Sequence, residues 1–173
     1  MVLGGSGAGK STLARDIGER LGLPVSHMDS LFWDAGWVMS PEETFLARVD
    51  QVIAEDTWVM DGNYSRTWPA RLARADTVVF LDIPTWLRVW RVIRRTVLGY
   101  GRTRPDLGAE CPERFDLGFI FGWVARYHWN GRPKALALMA PDGPARQLVR
   151  HHLRSRRDVR QFLASLRGVK DSS

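Results

Sequence analysis

The chain has 173 residues and a mass of 19.7 kDa, enough for one hydrophobic core and too few for two full domains. Hydrophobic residues make up 45% and charged residues 25%, which excludes a disordered chain, and no apolar run approaches the roughly 20 residues of a membrane span. The net charge of +6 is unevenly placed, with 7 basic and 12 acidic side chains in residues 1–84 against 18 basic and 7 acidic in residues 85–173.

A cytoplasmic protein is expected, with one domain over residues 1–168 and a flexible tail at 169–173. The single cysteine, Cys111, excludes an internal disulfide and a four-ligand zinc site, so core packing must hold the fold. Of the 25 basic residues 22 are arginine, whose planar fork holds phosphate oxygens bidentately. Genome composition also produces such an excess, so the positions must carry the argument.

Short β-branched runs alternate with helical patterns, which reads as α/β. Met1 to Leu3 predicts the stub of a first strand. Its shortness for the centre of a sheet leads us to expect a natural start further upstream. A glycine-rich loop follows, then a helix to about Leu21 and a second strand over Pro24–Met28. Ser40-Pro41-Glu42-Glu43 reads as an N-cap, a proline at N1 and a glutamate at N3, opening a helix buried through Phe45, Val49, Val52 and Ile53. Thr57–Met60 and Thr77–Leu81 predict two further strands, ending at Asp61-Gly62 and at Asp82 with Pro84.

From Thr85 to about Leu98 the helical pattern puts Trp86, Trp90, Ile93 and Val97 on one stripe, expected to pack, and Arg88, Arg91 and Arg95 on another, expected to offer cations. Gly99–Arg114 is rich in glycine, proline and charge and reads as a mobile excursion. A helix is expected around Leu117–Trp129, a last strand at Gln147–Val149 and a closing helix over Arg157–Leu166.

Gly4-Gly5-Ser6-Gly7-Ala8-Gly9-Lys10-Ser11, followed by Thr12, satisfies G-x-x-x-x-G-K-[ST], the Walker A pattern. Glycines let successive N–H groups converge on phosphates, and the helix starting near Lys10 adds the positive end of its dipole. In this reading Lys10 reaches the β and γ oxygens of ATP and Ser11 ligates Mg²⁺. The bland alternative is a chance glycine-rich turn, against which stand the strand stub before it and the amphipathic helix after it.

Three further runs carry a resemblance: His27-Met28-Asp29-Ser30-Leu31-Phe32-Trp33, Asp61-Gly62-Asn63-Tyr64-Ser65-Arg66, and Leu81-Asp82-Ile83-Pro84 with its following arginines. In them the chain resembles the small nucleoside-monophosphate-kinase-like and shikimate-kinase-like P-loop phosphotransferases. Within that group it is most similar to the bacterial adenylate-kinase-like "DNA topology modulation" (FlaR-like) proteins, over nearly the whole chain. The resemblance implies a three-layer P-loop NTPase fold: a five-stranded parallel sheet of order 2-3-1-4-5, helices on both faces, and a helical, arginine-bearing lid over about residues 99–132. It also implies an acceptor site between the second and third strands.

By the same resemblance, Asp61-Gly62 stands where a metal-holding Asp-Gly pair ends the third strand, and Arg66 looks like the arginine that contacts the acceptor. The alternative has Asp61 capping the next helix and Arg66 on the surface. The run Asn63-Tyr64-Ser65 departs from the kinase pattern and leaves the acceptor open. Asp29 looks like the acidic residue that orients an acceptor hydroxyl and takes its proton, or else is a turn former. His27 reads as structural. Arg91 and Arg95, 7 and 11 residues after Pro84, sit at the spacing of two arginines aimed at the transferring phosphoryl group. Arg126 and Arg132, on the helix returning from the lid, are further candidates, or part of a solvated stripe. Trp33, Trp37 and Trp68 could line an aromatic acceptor pocket or belong to the core.

The expected function is ATP- and Mg²⁺-dependent phosphoryl transfer from a nucleoside triphosphate to a small-molecule acceptor, in a monomer or dimer. The alternatives are a nucleic-acid-associated regulatory NTPase and a nucleotide-binding module with slow hydrolysis. A DNA role is not favoured, because no zinc finger or RNA-recognition signature is present.

Overall fold

The computed structural model describes residues 1–99, 122, 124 and 126–166. The expected lid over about 99–132 falls largely outside the described residues, as does the tail at 169–173. Among the described residues no helix is long and apolar enough to cross a membrane.

The elements run β1 (Val2–Gly4), α1 (Lys10–Leu21), β2 (Val25–His27), α2 (Met28–Phe32), β3 (Trp33–Asp34), β4 (Val38–Met39), α3 (Glu42–Ala54), β5 (Val59–Asp61), α4 (Trp68–Arg74), β6 (Thr77–Leu81), α5 (Thr85–Gly99), α6 (Tyr127–Met139), β7 (Val149–Leu153) and α7 (Arg156–Ser165). Five strands form one parallel sheet in the order β2-β5-β1-β6-β7, while β3 and β4 make a small antiparallel hairpin. Strands buried on both faces need continuous apolar runs, and Val78, Val79, Phe80 and Leu81 of β6 are all buried.

Alternation along the strands feeds two cores. Val2, Val79, Leu81 and Leu153 pack with Leu13, Ala14 and Ile17 of α1 and Phe162 of α7. Leu3, Val78 and Phe80 point the other way, against Ala135 and Leu138 of α6. A third cluster joins Met28 and Met60 to Phe45, Val49 and Ile53 of α3. The result is an α/β fold with helices on both faces of a five-stranded parallel sheet. Its helix ends follow local chemistry: Gly22, in the left-handed region, closes α1 by donating to the Gly18 carbonyl, and Ser155 with Asp158 forms a capping box opening α7.

Several expectations are corrected. Helix α3 begins at Glu42 behind Pro41 with no side-chain cap, because the buried Ser40 hydroxyl accepts from Arg48 Nη1 instead. The last strand is Val149–Leu153 rather than Gln147–Val149, since those five residues pair in register with all of β6. Of the helix expected at Leu117–Trp129, Gly122 and Val124 are helical, and a further helix, α6, runs from Tyr127 to Met139.

The largest correction concerns α5. Trp86, Trp90 and Val97, expected to pack, are 71%, 50% and 62% exposed, whereas Arg88 is 2% exposed. The buried line of the helix is Arg88, Val92 and Thr96, one step around from the tryptophan stripe. The physical reason is polar satisfaction. Arg88 donates from Nε to the Ile83 carbonyl, from Nη1 to the Val124 carbonyl and from Nη2 to Thr85 Oγ1, each at 3.1 Å. A guanidinium with such partners can be buried; an exposed indole loses comparatively little.

Arg71 of α4 is wholly buried and donates to the carbonyls of Gly62 (2.9 Å) and Met60 (3.4 Å) at the end of β5. Burial pulls its pKa down to about 10, opposed by the negative charge of Asp61. Replacing it by alanine strands those carbonyls and leaves a void. We expect Arg71→Ala to lower the unfolding free energy by about 2–4 kcal/mol, seen as a lower urea midpoint at unchanged slope.

Candidate functional site

The C-terminal ends of β2, β5, β1 and β6 carry, in that spatial order, Asp29 just beyond β2, Asp61 closing β5, the glycine-rich loop after β1, and Asp82 just beyond β6. In open parallel sheets the crevice above these ends is where ligands bind.

The loop from Gly4 to Gly9 turns directly into α1. Gly7 and Gly9 have φ of +78° and +102°, the region in which glycine alone is at ease. A side chain on Gly7 would strike the Arg88 carbonyl of α5, so glycine is what permits the loop and that helix to touch. At Gly9 no atom lies within 4 Å of where a Cβ would sit, leaving the backbone open on that side. Lys10 Nζ donates to the Gly5 carbonyl at 3.4 Å, folding the ammonium back over the loop, and Ser11 and Thr12 lie in the first turn of α1. Ser6 is half-buried and Ala8 packs in the core beside the loop. This open backbone, closed at one side by a lysine and at the head of a helix, fits a polyphosphate.

Arg91 reaches the same loop. Its Nη1 donates to the carbonyls of Ala8 (3.1 Å) and Gly7 (3.4 Å). Burial, and then repulsion from Arg156 on α7, lower its pKa below the ordinary arginine value. Arg95 lies one turn further along and is half-buried, while Arg126, immediately before α6, is exposed.

On the other side of the loop, Asn63 closes the junction between β1 and β5. The Gly62 amide donates to the Val2 carbonyl at 3.1 Å as an ordinary rung. The next rung is made by the Asn63 side chain, whose Oδ1 accepts from the Gly4 amide at 3.1 Å and whose Nδ2 donates to the Gly4 carbonyl at 2.8 Å. The indole of Trp68 donates to the Asn63 carbonyl, so this tryptophan braces the junction from the core side.

Tyr64 has φ of +28° and ψ of +68°, an uncommon conformation for a bulky residue and a mark of local constraint. It directs the hydroxyl onto Asp29 Oδ1 at 3.0 Å. Burial, and then the Asp29 charge, push the Tyr64 pKa far up, so the phenol stays a donor. His27 Nδ1 lies 2.8 Å from Asp61 Oδ1, with Asp61 buried. Both carboxylates therefore stand in fixed positions. The ring of Tyr64 packs on Phe32 and Phe45, and Trp33 sits edge-on to both Phe32 and Trp37.

Arg66 lies on the surface, 79% exposed, in an ion pair of 2.6 Å with Glu42. The structure thus sets Gly4 to Thr12, Asp29, Asp61 and Gly62 at the C-terminal ends of neighbouring strands, with Arg91 on the glycine-rich loop, and leaves Arg66 and Arg126 turned to solvent.

A cavity of about 540 Å³ opens between the end of β6, the start of α5 and α6, lined by Asp82, Ile83, Arg88, Tyr127, Arg132 and Arg154 among others. Arg132 grips Asp82 with two bonds, Nε to Oδ1 at 2.7 Å and Nη2 to Oδ2 at 2.8 Å, and His152 Nε2 lies 3.1 Å from Oδ2. Burial alone would raise the Asp82 pKa, but the bonds from Arg132 and His152 outweigh it and hold the carboxyl below its ordinary value. Arg132 therefore ties α6 to the sheet and is not part of a solvated stripe.

Asn63, Tyr64 and Asp82 have no role assigned from the sequence, and Arg88, expected to offer a cation, is instead buried on carbonyls. The signal for the first two was present, since the run after Asp61-Gly62 was the place where the familiar pattern broke.

Mg²⁺ keeps several waters and takes few protein ligands. Among the described residues no group of three or more His, Cys, Asp or Glu side chains converges on one point. One serine hydroxyl with one carboxylate, completed by phosphate oxygens, is a donor set that suits it.

The chain matches no family model and no curated protein. Among solved structures it is similar to an unliganded sugar kinase from Janibacter sp. HTCC2649, with 15% identity, a TM-score of 0.52, and coverage of 94% of this chain and 88% of that one. A Chloroflexus aurantiacus protein provisionally described as a kinase aligns at 14% identity and TM-score 0.49 over 94% of each chain. The first likeness supports the α/β architecture described above.

The Asp82 cluster gives a signed pH dependence. Because its carboxyl is held below its ordinary value, near 3.8, its contribution is complete above that value and is lost as pH falls through the folded pKa. Urea unfolding of wild type and Asp82→Asn from pH 7 to pH 2.5 should show a stability gap that is constant down to about pH 5 and shrinks below about pH 4.

Proposed function

We propose that the chain is an ATP- and Mg²⁺-dependent phosphotransferase acting on a small-molecule acceptor, a P-loop kinase of the adenylate-kinase-like kind. The observation that supports this reading is that the Gly4–Ser11 loop, with the Arg91 guanidinium set on it, and two positioned carboxylates, Asp29 and Asp61, lie at the C-terminal ends of the neighbouring strands β2, β5 and β1. Each supplies a part that phosphoryl transfer needs: a cradle, a charge clamp, a base and a metal ligand. The partners in this reading are a nucleoside triphosphate and the acceptor.

The triphosphate lies along the loop from Gly4 to Thr12, on the amides that follow Gly4, whose own N–H stays on Asn63. Lys10 leaves the Gly5 carbonyl for the β and γ oxygens, and Arg91 and Arg95 face the charge that builds on the transferring group. Ser11 and Asp61 would hold Mg²⁺, which when bound neutralises charge between the β- and γ-phosphates. The acceptor hydroxyl attacks the γ-phosphorus, the bond from that phosphorus to the bridging oxygen breaks, and ADP leaves. Asp29 takes the hydroxyl proton, held for this by the Tyr64 phenol on Oδ1. His27 positions Asp61 through the imidazole bond and does not touch the acceptor.

The test is ADP formation from MgATP across a panel of nucleosides, nucleoside monophosphates and small hydroxylated compounds. Lys10→Ala and Arg91→Ala should each lower acceptor-dependent turnover by about 10²-fold or more, and Asp29→Asn should act mainly on kcat. Turnover that is absent throughout, or that survives both Lys10→Ala and Arg91→Ala, contradicts the proposal.

Asn63→Ala should act differently. It removes both bonds to Gly4, so we expect weaker MgATP binding together with about 1–3 kcal/mol lower stability, read by calorimetric titration and by denaturant unfolding of the same preparation.

A further inference from the structure

The acceptor side of the crevice is built from residues 24–76, and its charges are distinctive. This stretch holds nine carboxylates against four arginines and no lysine. Two of the carboxylates, Asp29 and Asp61, stand at the ends of β2 and β5, on the side of the sheet edge from which the glycine-rich loop also leaves. A phosphate- or carboxylate-bearing acceptor needs cations there, and a guanidinium fork is the usual device.

Three of the four arginines are bonded within the fold, and the fourth lies at the surface. Arg48 Nη1 donates to the Leu31 carbonyl (2.9 Å), Asp34 Oδ1 (3.0 Å) and Ser40 Oγ (2.8 Å), which fastens the β3–β4 hairpin onto α3. Arg71 is buried beneath the end of β5 on the carbonyls of Gly62 and Met60. Arg74 donates to the carbonyls of Ile53 and Glu55 at the far end of α3. Arg66 is paired with Glu42 in solvent.

Among the described residues, Arg91 of α5 sits on the glycine-rich loop, on the donor's side, as Lys10 does. Beside Asp29 stands the Tyr64 phenol, whose ring is seated on Phe32 and Phe45 of the core. A carboxylate acceptor beside a neutral phenol suits a molecule that presents hydroxyl donors.

We infer that the acceptor is an uncharged polyhydroxylated molecule, a sugar or nucleoside, phosphorylated on a hydroxyl, and not a phosphate- or carboxylate-bearing one. This rests on the phosphotransferase reading above and departs from the nucleoside-monophosphate acceptor that the adenylate-kinase resemblance suggests. The step balances without a further reactant. The acceptor oxygen forms the new bond to phosphorus, the terminal phosphoanhydride bond breaks, ADP carries away the bonding pair, and the hydroxyl proton passes to Asp29.

The experiment uses matched acceptors with MgATP and the full chain: adenosine against AMP, ribose against ribose 5-phosphate, and glucose against gluconate. Turnover is followed as ADP formation and phosphorylated product. Equilibrium binding of the same compounds in the presence of Mg²⁺ and a non-hydrolysable ATP analogue is read from tryptophan fluorescence and calorimetry.

The uncharged member should be preferred by about 100-fold or more in kcat/KM in at least one pair, with the same order in binding. Equal or better use of the phosphate- or carboxylate-bearing member, in turnover or in binding, overturns the inference while leaving the kinase reading intact. Preferential binding of an uncharged member without any ADP formation supports the acceptor class and overturns the transfer reading instead.

Discussion

The structure depends on a side chain that stands in for backbone. Where β1 and β5 run out of main-chain pairing, the Asn63 amide completes the ladder by bonding both the N–H and the carbonyl of Gly4. That residue is the last of β1 and the first of the glycine-rich loop, so the loop leaves the sheet from a point held on one flank by Asn63. On the other flank, a Cβ on Gly4 would come within 2.7 Å of the Leu81 carbonyl of β6, a measure of how closely the strands meet there. Trp68 and Arg71, both on α4, brace the far side of the same junction through the carbonyls of Asn63 and Gly62. The position of the loop is therefore set by α4 and β5 as much as by its own glycines.

A division of charge follows from this frame. At the ends of β5 and β2 stand carboxylates held by an imidazole and a phenol, while beyond β1 and β6 stand the loop, the guanidinium groups of α5 and Asp82, whose charge Arg132 pairs. The division explains why α5 turns its arginines inward. The carbonyls of Gly7, Ala8 and Ile83 are acceptors at the edge of the core, and arginines are long enough to reach them while their stems pack. The exposed tryptophans on the outer stripe are the counterpart of that choice. Asp82, gripped by Arg132 and His152, then fixes α6 and β7 to the same edge, so the helix after the undescribed segment starts from a defined anchor.

Much of the fold was legible because its signals are local. Alternation of β-branched runs with helical stripes gave the α/β class, and Thr77–Leu81 was read residue for residue because a run buried on both faces has little else it can be. The glycine-rich loop was legible from spacing alone. Long-range polar satisfaction was not legible. The amphipathic pattern of α5 is compatible with either stripe facing in, and what decides between them is the set of carbonyls that the loop and the end of β6 place against it. Ser40 and Pro41 have the composition of a helix start, yet Arg48, eight residues on, takes the serine hydroxyl. At the candidate site, Asp29 and Asp61 were picked out by the resemblance carried by the runs around them. The residues that hold them, Tyr64 and His27, act across 35 and 34 residues of sequence, which no local pattern encodes.

The most direct test of the account is a crystal structure of the full chain with Mg²⁺ and a non-hydrolysable ATP analogue. The account predicts the β- and γ-phosphates on the amides of Gly5 to Ser11, Lys10 Nζ moved from the Gly5 carbonyl to phosphate oxygen, Arg91 released from Gly7 and Ala8, and the Asn63–Gly4 bonds unchanged. A triphosphate bound elsewhere, such as the cavity beside Asp82, with Arg91 still on the loop carbonyls, would contradict it.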